Sequence, residues 1–150
     1  MIREMRPIDE DFVYDSWLRS VRCPTRTVTD MSRFLIDHLK MLGNIKIYCA
    51  DDDQDHIIGW MAYGKIEDTP LLHYMFVKKD FRENGVGTEL LRSVYPEKET
   101  CVFCSYWSFH MQEMNARKKW NVKFVSNLLP AVIYQIMNGR VEREEHAYVQ

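Results

Sequence analysis

Apolar positions in the first third of the chain recur mainly with helical spacing. Ile2 to Met5 reads as a short strand ended by Pro7, and Asp9, Glu10 and Asp11 supply capping chemistry and favourable charge for a helix start. Phe12, Val13, Trp17, Leu18 and Val21 follow at helical intervals until Pro24 breaks the run. After the loop Arg22 to Val28, Thr29 or Asp30 caps a second helix. In it Met31, Phe34, Leu35, His38, Leu39 and Leu42 share one face, and Gly43 stops it.

The middle of the chain changes period. Ile45, Ile47 and Cys49 alternate with polar residues, Asp51 to Asp55 forms an acidic turn, and Ile57 to Tyr63 returns, which is a hairpin pattern. Those aspartates lack the glycine and closing glutamate of a calcium loop, so they read as a solvated turn. Leu71 to Val77 is a further strand, and Gly85 to Tyr95 a helix with Val86, Leu90, Leu91 and Val94 inward, ended by Pro96. Thr100 to Cys104 reads as a strand, Trp107 to Trp120 as a helix and Val122 to Leu128 as a strand. Ala131 to Met137 is apolar without a deciding period, and 140–150 is a charged peripheral tail. The resulting order, β, α, α, β, β, β, α, β, α, β, describes one α/β domain over 1–150 with its core in about 2–129.

Composition narrows the function classes. A chain of 150 residues with a formal charge of −2 has no global field to gather nucleic acid or an anionic membrane. Its apolar runs are too short for a membrane span and its first residues are charged, so the expected compartment is the cytoplasm. Cys101 and Cys104 have C-x-x-C spacing, but no second pair completes a zinc site, and they read as structural thiols. No metal is expected.

Chemistry concentrates at Arg82-Glu83-Asn84-Gly85-Val86-Gly87, between the strand ending at Val77 and the helix continuing through Thr88-Glu89-Leu90-Leu91. A strand leading through a glycine-punctuated turn into a helix presents backbone N–H groups that have no partner inside the helix, and these receive an anion. The glycines let main chain approach a ligand closely. The pattern is R-x-x-G-x-G, neither the G-x-G-x-x-G of dinucleotide folds nor a P-loop, which ends in Gly-Lys-Ser/Thr.

This segment resembles the acetyl-coenzyme A (acetyl-CoA) signature of the GCN5-related N-acetyltransferases, the GNAT superfamily, over roughly residues 2–129. The resemblance implies a GNAT (acyl-CoA N-acyltransferase) fold, with a mixed central sheet of six or seven strands and about four helices. It implies that acetyl-CoA lies where two parallel strands splay, its pantetheine arm along Met75, Phe76 and Val77. Its pyrophosphate would rest on Arg82, Glu83, Asn84, Gly85, Val86, Gly87 and Thr88, with Asn115 also touching the cofactor. Short, divergent chains of this kind also occur in phages.

The implied reaction is acetyl transfer to a primary amine, directly, in a ternary complex. A lysine-like amine has a pKa of about 10.4, so neutralising it at pH 7 costs roughly 4–5 kcal/mol and calls for a base. His73 is the candidate, because its ordinary pKa suits neutral pH and arylalkylamine-acting relatives carry a histidine at the matching place. Period-two alternation puts it on the face of Leu71, Met75 and Val77; Glu67 and Asp68 are weaker alternatives. The family's thiolate-protonating tyrosine is missing, and Trp120 stands near its place. Tyr106, His110 or Ser126 are the substitutes at hand. Arg22 to Val28 and Ser126 to Tyr134 correspond to the acceptor-selecting segments. The departures leave a rival reading, a non-catalytic GNAT-fold binding module, with the chain a monomer or homodimer.

Overall fold

A computed structural model describes residues 1–20, 44–104, 109–117 and 119–125, together with Asp37 and Lys40. Six strands form one sheet in sequence order: β1 (Ile2–Glu4), β2 (Asn44–Cys49), β3 (Ile57–Ile66), β4 (Thr69–Val77), β5 (Val102–Cys104) and β6 (Val122–Phe124). Each neighbouring pair among the first four is antiparallel, whereas β4–β5 and β5–β6 are parallel. Three helices are described: α1 (Glu10–Ser20), α2 (Val86–Val94) and α3 (Phe109–Ala116). The helix expected over Met31 to Leu42 lies outside the described residues, apart from Asp37 and Lys40, which are both helical. The apolar run Ala131 to Met137 and the tail also lie outside them. Among the described residues no helix is long and apolar enough to cross a membrane.

The sheet separates two apolar layers. On one face Val13, Tyr14 and Trp17 of α1 pack on Ile45, Ile47, Trp60 and Tyr74. On the other, Val86, Leu90 and Leu91 of α2 and Met111 and Met114 of α3 pack on Met61, Leu72 and Val102. Alternation explains β2, whose Ile45, Ile47 and Cys49 are buried between half-buried neighbours. The central strand β3 is buried from Ile57 through Gly64, as a strand covered on both faces must be.

Alternation fails at His73. Across β3–β4, Ala62 faces Tyr74 and Tyr63 faces Leu72, so His73 has no opposite residue and forms a bulge. The extra residue resets the faces: Leu72, Met75 and Val77 point toward α2, whereas Tyr74 and Phe76 join the α1 side. Leu72 rather than Leu71 therefore accompanies Met75 and Val77, which a strict two-residue period does not anticipate.

Asp9 keeps the capping chemistry expected of it, its carboxylate reaching back to the Arg6 amide, and adds a buried ion pair that the local sequence does not announce. It closes a 3₁₀ turn (Pro7–Asp9), is 3% exposed, and takes both nitrogens of the Arg3 fork at 2.6 and 2.9 Å plus the Arg6 amide at 2.7 Å. Burial alone raises its carboxyl pKa; the Arg3 fork and Arg6 amide outweigh that and hold it below its ordinary 3.8. A carboxyl lowered by folding adds stability above its unfolded pKa and loses it as pH falls through the folded value. Asp9→Asn is therefore expected to lower stability by about 2–3 kcal/mol at pH 7 in urea unfolding. The deficit relative to the parent should shrink below about pH 4.

Candidate functional site

The turn after β4 is built in three steps. Lys78 donates its amide to Ile58 O at 2.9 Å, so the chain stays on the sheet one residue past β4. A single 3₁₀ turn, Lys79–Phe81, then reverses it. Arg82 reaches back and donates Nε to Val77 O at 2.9 Å, clamping the two ends of the turn. Beyond it Glu83 and Gly85 adopt left-handed backbone, with φ of +68° and +84°. Gly85 is the N-cap of α2, and its carbonyl accepts the Glu89 amide at 2.9 Å.

Between those bonds the main chain is bare. No protein acceptor takes the N–H groups of Glu83, Asn84, Gly85, Val86, Gly87 or Thr88 among the described residues. Left-handed residues beside helical ones turn successive amides toward a common point, which is the backbone form of an anion nest. The nest opens on the N-terminus of α2, where the helix dipole also favours negative charge.

The two glycines serve different ends. A Cβ at Gly85 would meet nothing within 4 Å, so that position is set by its φ of +84°. A Cβ at Gly87 would lie 2.9 Å from Met75 Sδ and 3.3 Å from Trp120 Cζ2, so that position is set by close packing. Met75 thus supports the turn from below, while Trp120 walls it from α3's side.

An open-sided groove runs along this turn. Val77, Arg82, Gly85, Val86, Gly87 and Thr88 form one bank, and Glu113, Met114, Arg117, Lys119 and Trp120 the other, with Phe81 and Glu83 also lining it. Arg82, Arg117 and Lys119 are cations on this lining; Glu113 holds Arg117 at 3.4 Å. Arg92 fixes the far bank, donating to Glu97 O at 2.9 Å and Lys119 O at 3.0 Å. Trp120 is 3% exposed and donates its indole N–H to Thr88 Oγ1 at 3.0 Å, joining the banks.

The other sequence-derived candidates distribute around this groove. Asn84 is exposed in the turn, and Met75 lies beneath Gly87. Phe76 turns its ring to the opposite face, stacked on Trp60 with centroids 6.3 Å apart. His73 is buried at 4% exposure in the β4 bulge and does not line the groove. Neither does Asn115, whose Oδ1 accepts the Val122 amide at 3.0 Å and anchors β6. Glu67 and Asp68 are exposed in the β3–β4 turn, about 25 Å along β4 from Val77 by strand rise, too far to serve that groove. Tyr106, Ser126, the His110 side chain and both acceptor-selecting segments lie outside the described residues. Sequence reasoning missed Arg117, Lys119 and Glu113, although the basic run Arg117-Lys118-Lys119 directly after a helix was a readable signal. Among the described residues no group of His, Cys, Asp and Glu could hold a metal ion.

A family model described as an acetyltransferase (GNAT) domain matches residues 43–124, more than half of the 150-residue chain. The chain belongs to the GNAT family. GNAT proteins are N-acetyltransferases that draw on acetyl-CoA, and the matched segment contains β4, the turn, α2, α3 and both banks of the groove. Solved structures with TM-scores above 0.5 share the fold. The GNAT chain is similar to a glucosamine N-acetyltransferase region of a fungal multi-domain β-N-acetylglucosaminidase. There the TM-score is 0.55 at 17% identity, over 79% of this chain and 16% of that one. A histone acetyltransferase and related acetyltransferase from Corynebacterium glutamicum gives 0.52 at 15%, over 78% and 82%. An aminoglycoside 6′-N-acetyltransferase complexed with coenzyme A gives 0.48 at 22%, over 64% of this chain and about half (53%) of that chain's length. No curated protein sequence matches.

Arg82 offers a direct test of the turn. Its Nε bond to Val77 O shapes the turn, and the residue lines the groove. If this turn holds the cofactor's diphosphate, Arg82→Gln should weaken acetyl-CoA binding by about 10- to 30-fold in calorimetry, as loss of a charge-assisted contact implies. Arg82→Lys, which keeps the charge without the fork, should fall between.

Proposed function

We propose that this GNAT chain is an acetyl-CoA-dependent N-acetyltransferase that moves the acetyl group to a primary amine by direct transfer in a ternary complex. The observation that carries this reading is the row of unpartnered amides from Glu83 to Thr88, facing a groove with cations on both banks. A diphosphate satisfies such a row, and a thioester arm leaving it along the Met75–Val77 backbone reaches the bulge at His73. In the transfer, the amine nitrogen bonds to the thioester carbon, the C–S bond breaks, and the amine's surplus proton passes to a base as the thiolate departs. His73 is our candidate for that base, acting through water because it sits behind the groove rather than on it.

The test is thiol release from acetyl-CoA across a panel of small amines, peptides and aminoacyl compounds. Turnover with at least one amine class is expected, and His73→Ala should lower kcat by about 10²- to 10⁴-fold. Full turnover in that variant removes His73 from the chemistry. One observation favours the second reading, a binding module without catalysis: Trp120 occupies the neighbourhood of the missing tyrosine, and its N–H is already given to Thr88. Binding of acetyl-CoA with no thiol release from any amine would support that module.

A further inference from the structure

We infer that Trp120 is a positioning residue that turns the Thr88 hydroxyl into a dedicated donor for a phosphate oxygen. This inference rests on the cofactor reading above and extends it to a residue on the opposite bank. Indole nitrogen carries a proton and has no lone pair to offer, so in the 3.0 Å contact Trp120 donates and Thr88 Oγ1 accepts. A hydroxyl that accepts on one lone pair must direct its own proton elsewhere. Among the described residues no protein acceptor takes the Thr88 proton, and Thr88 lines the groove. The proton is therefore available to an acceptor placed over the first turn of α2, beside the bare amides of Val86, Gly87 and Thr88 itself.

The arrangement selects for the chemistry of its ligand. Threonine in the first turn of a helix can otherwise turn its proton back to a carbonyl of the preceding turn. The indole also holds Thr88 from the side away from bulk water, since Trp120 is buried against Gly87. An anionic oxygen, an acceptor only, completes this set; a ligand group that donates would meet only the hydroxyl's second lone pair and leave its proton unused. The ligand class is a phosphate or diphosphate, and the position beside the turn assigns it to the diphosphate of the nucleotide.

The experiment is a calorimetric titration of coenzyme A into the full chain and its variants. Thr88→Val, which keeps the shape and loses the hydroxyl, should weaken binding by about tenfold, and Thr88→Ser should restore it to within about threefold. Trp120→Phe should weaken it by about three- to tenfold, and the double variant Trp120→Phe/Thr88→Val should bind no worse than about twofold below Thr88→Val alone. Adenosine diphosphate, which keeps the diphosphate and drops the pantetheine arm and the ribose 3′-phosphate, should lose the same factor in Thr88→Val. Where turnover is measured, KM for acetyl-CoA should rise with kcat within about twofold. Unchanged affinity in Thr88→Val, or multiplying losses in the double variant, overturns the inference while leaving acetyl transfer intact. If Trp120→Phe does not fold, the Thr88 pair with adenosine diphosphate decides alone. A parent chain that takes up no coenzyme A overturns both readings.

Discussion

Gly85→Glu is expected to weaken acetyl-CoA binding by about 100-fold or more, with the fold retained, if the turn is the diphosphate cradle proposed above. Space around Gly85 is open, so the new side chain meets no steric obstacle from the protein. Its backbone, however, sits at φ +84°, where an L-residue costs roughly 1–2 kcal/mol. The added carboxylate then stands at the mouth of the nest, and like charges brought together in a binding site cost several kcal/mol, which is on the order of a 100-fold loss. Companion variants separate these causes. Gly85→Ala carries only the conformational strain, and Gly85→Asn less still, because asparagine tolerates left-handed backbone. Gly87→Ala tests a different mechanism, since its Cβ would press on Met75 Sδ at 2.9 Å and move a flexible side chain. It should cost stability more than affinity. Isothermal calorimetry for binding and thermal melts for folding distinguish the four outcomes.

Trp60→Ala is expected to be the most destabilising single change in the described structure, at about 3–5 kcal/mol. Trp60 is fully buried in the central strand, and its indole N–H donates to Ser16 Oγ of α1 at 2.8 Å. Its ring meets Tyr74 and Phe76 with centroids 5.4 and 6.3 Å away. The substitution empties the layer between α1 and the sheet and removes the bond that holds α1 in register. Domains of this kind have total stabilities of about 5–15 kcal/mol, so the variant should be largely unfolded at modest urea concentrations. Trp60→Phe keeps part of the packing and should cost less. Because this layer lies on the face away from the groove, coenzyme A affinity of the folded fraction should stay close to the parent's. A urea denaturation series with and without coenzyme A measures both quantities.

Periodicity carried far where one period ruled an element. Alternation of Ile45, Ile47 and Cys49 gave β2, and the inward row Val86, Leu90, Leu91 gave the buried face of α2. The turn was legible because its function demands a rare local sequence: a residue free to take φ +84° at Gly85 and one without a Cβ at Gly87. What escaped depended on contacts between distant segments. The bulge at His73 arises from the register between β3 and β4, which no window along β4 contains. Asp9 does serve the cap its sequence position suggests, through the Arg6 amide, but its ion-pair partner Arg3 belongs to the preceding strand and no local window reveals it. Asn115 has the right residue type for a cofactor contact, yet its Oδ1 holds Val122. The far bank of the groove, with Arg117 and Lys119, is brought to the turn only by α3 packing beside α2.

A ¹⁵N-resolved titration with coenzyme A reads the anion cradle amide by amide. The largest downfield proton shifts should fall on Glu83, Asn84, Gly85, Val86, Gly87 and Thr88, saturating together with the calorimetric binding curve. Saturable binding that leaves those six amides unmoved, or no binding at all, would contradict the account.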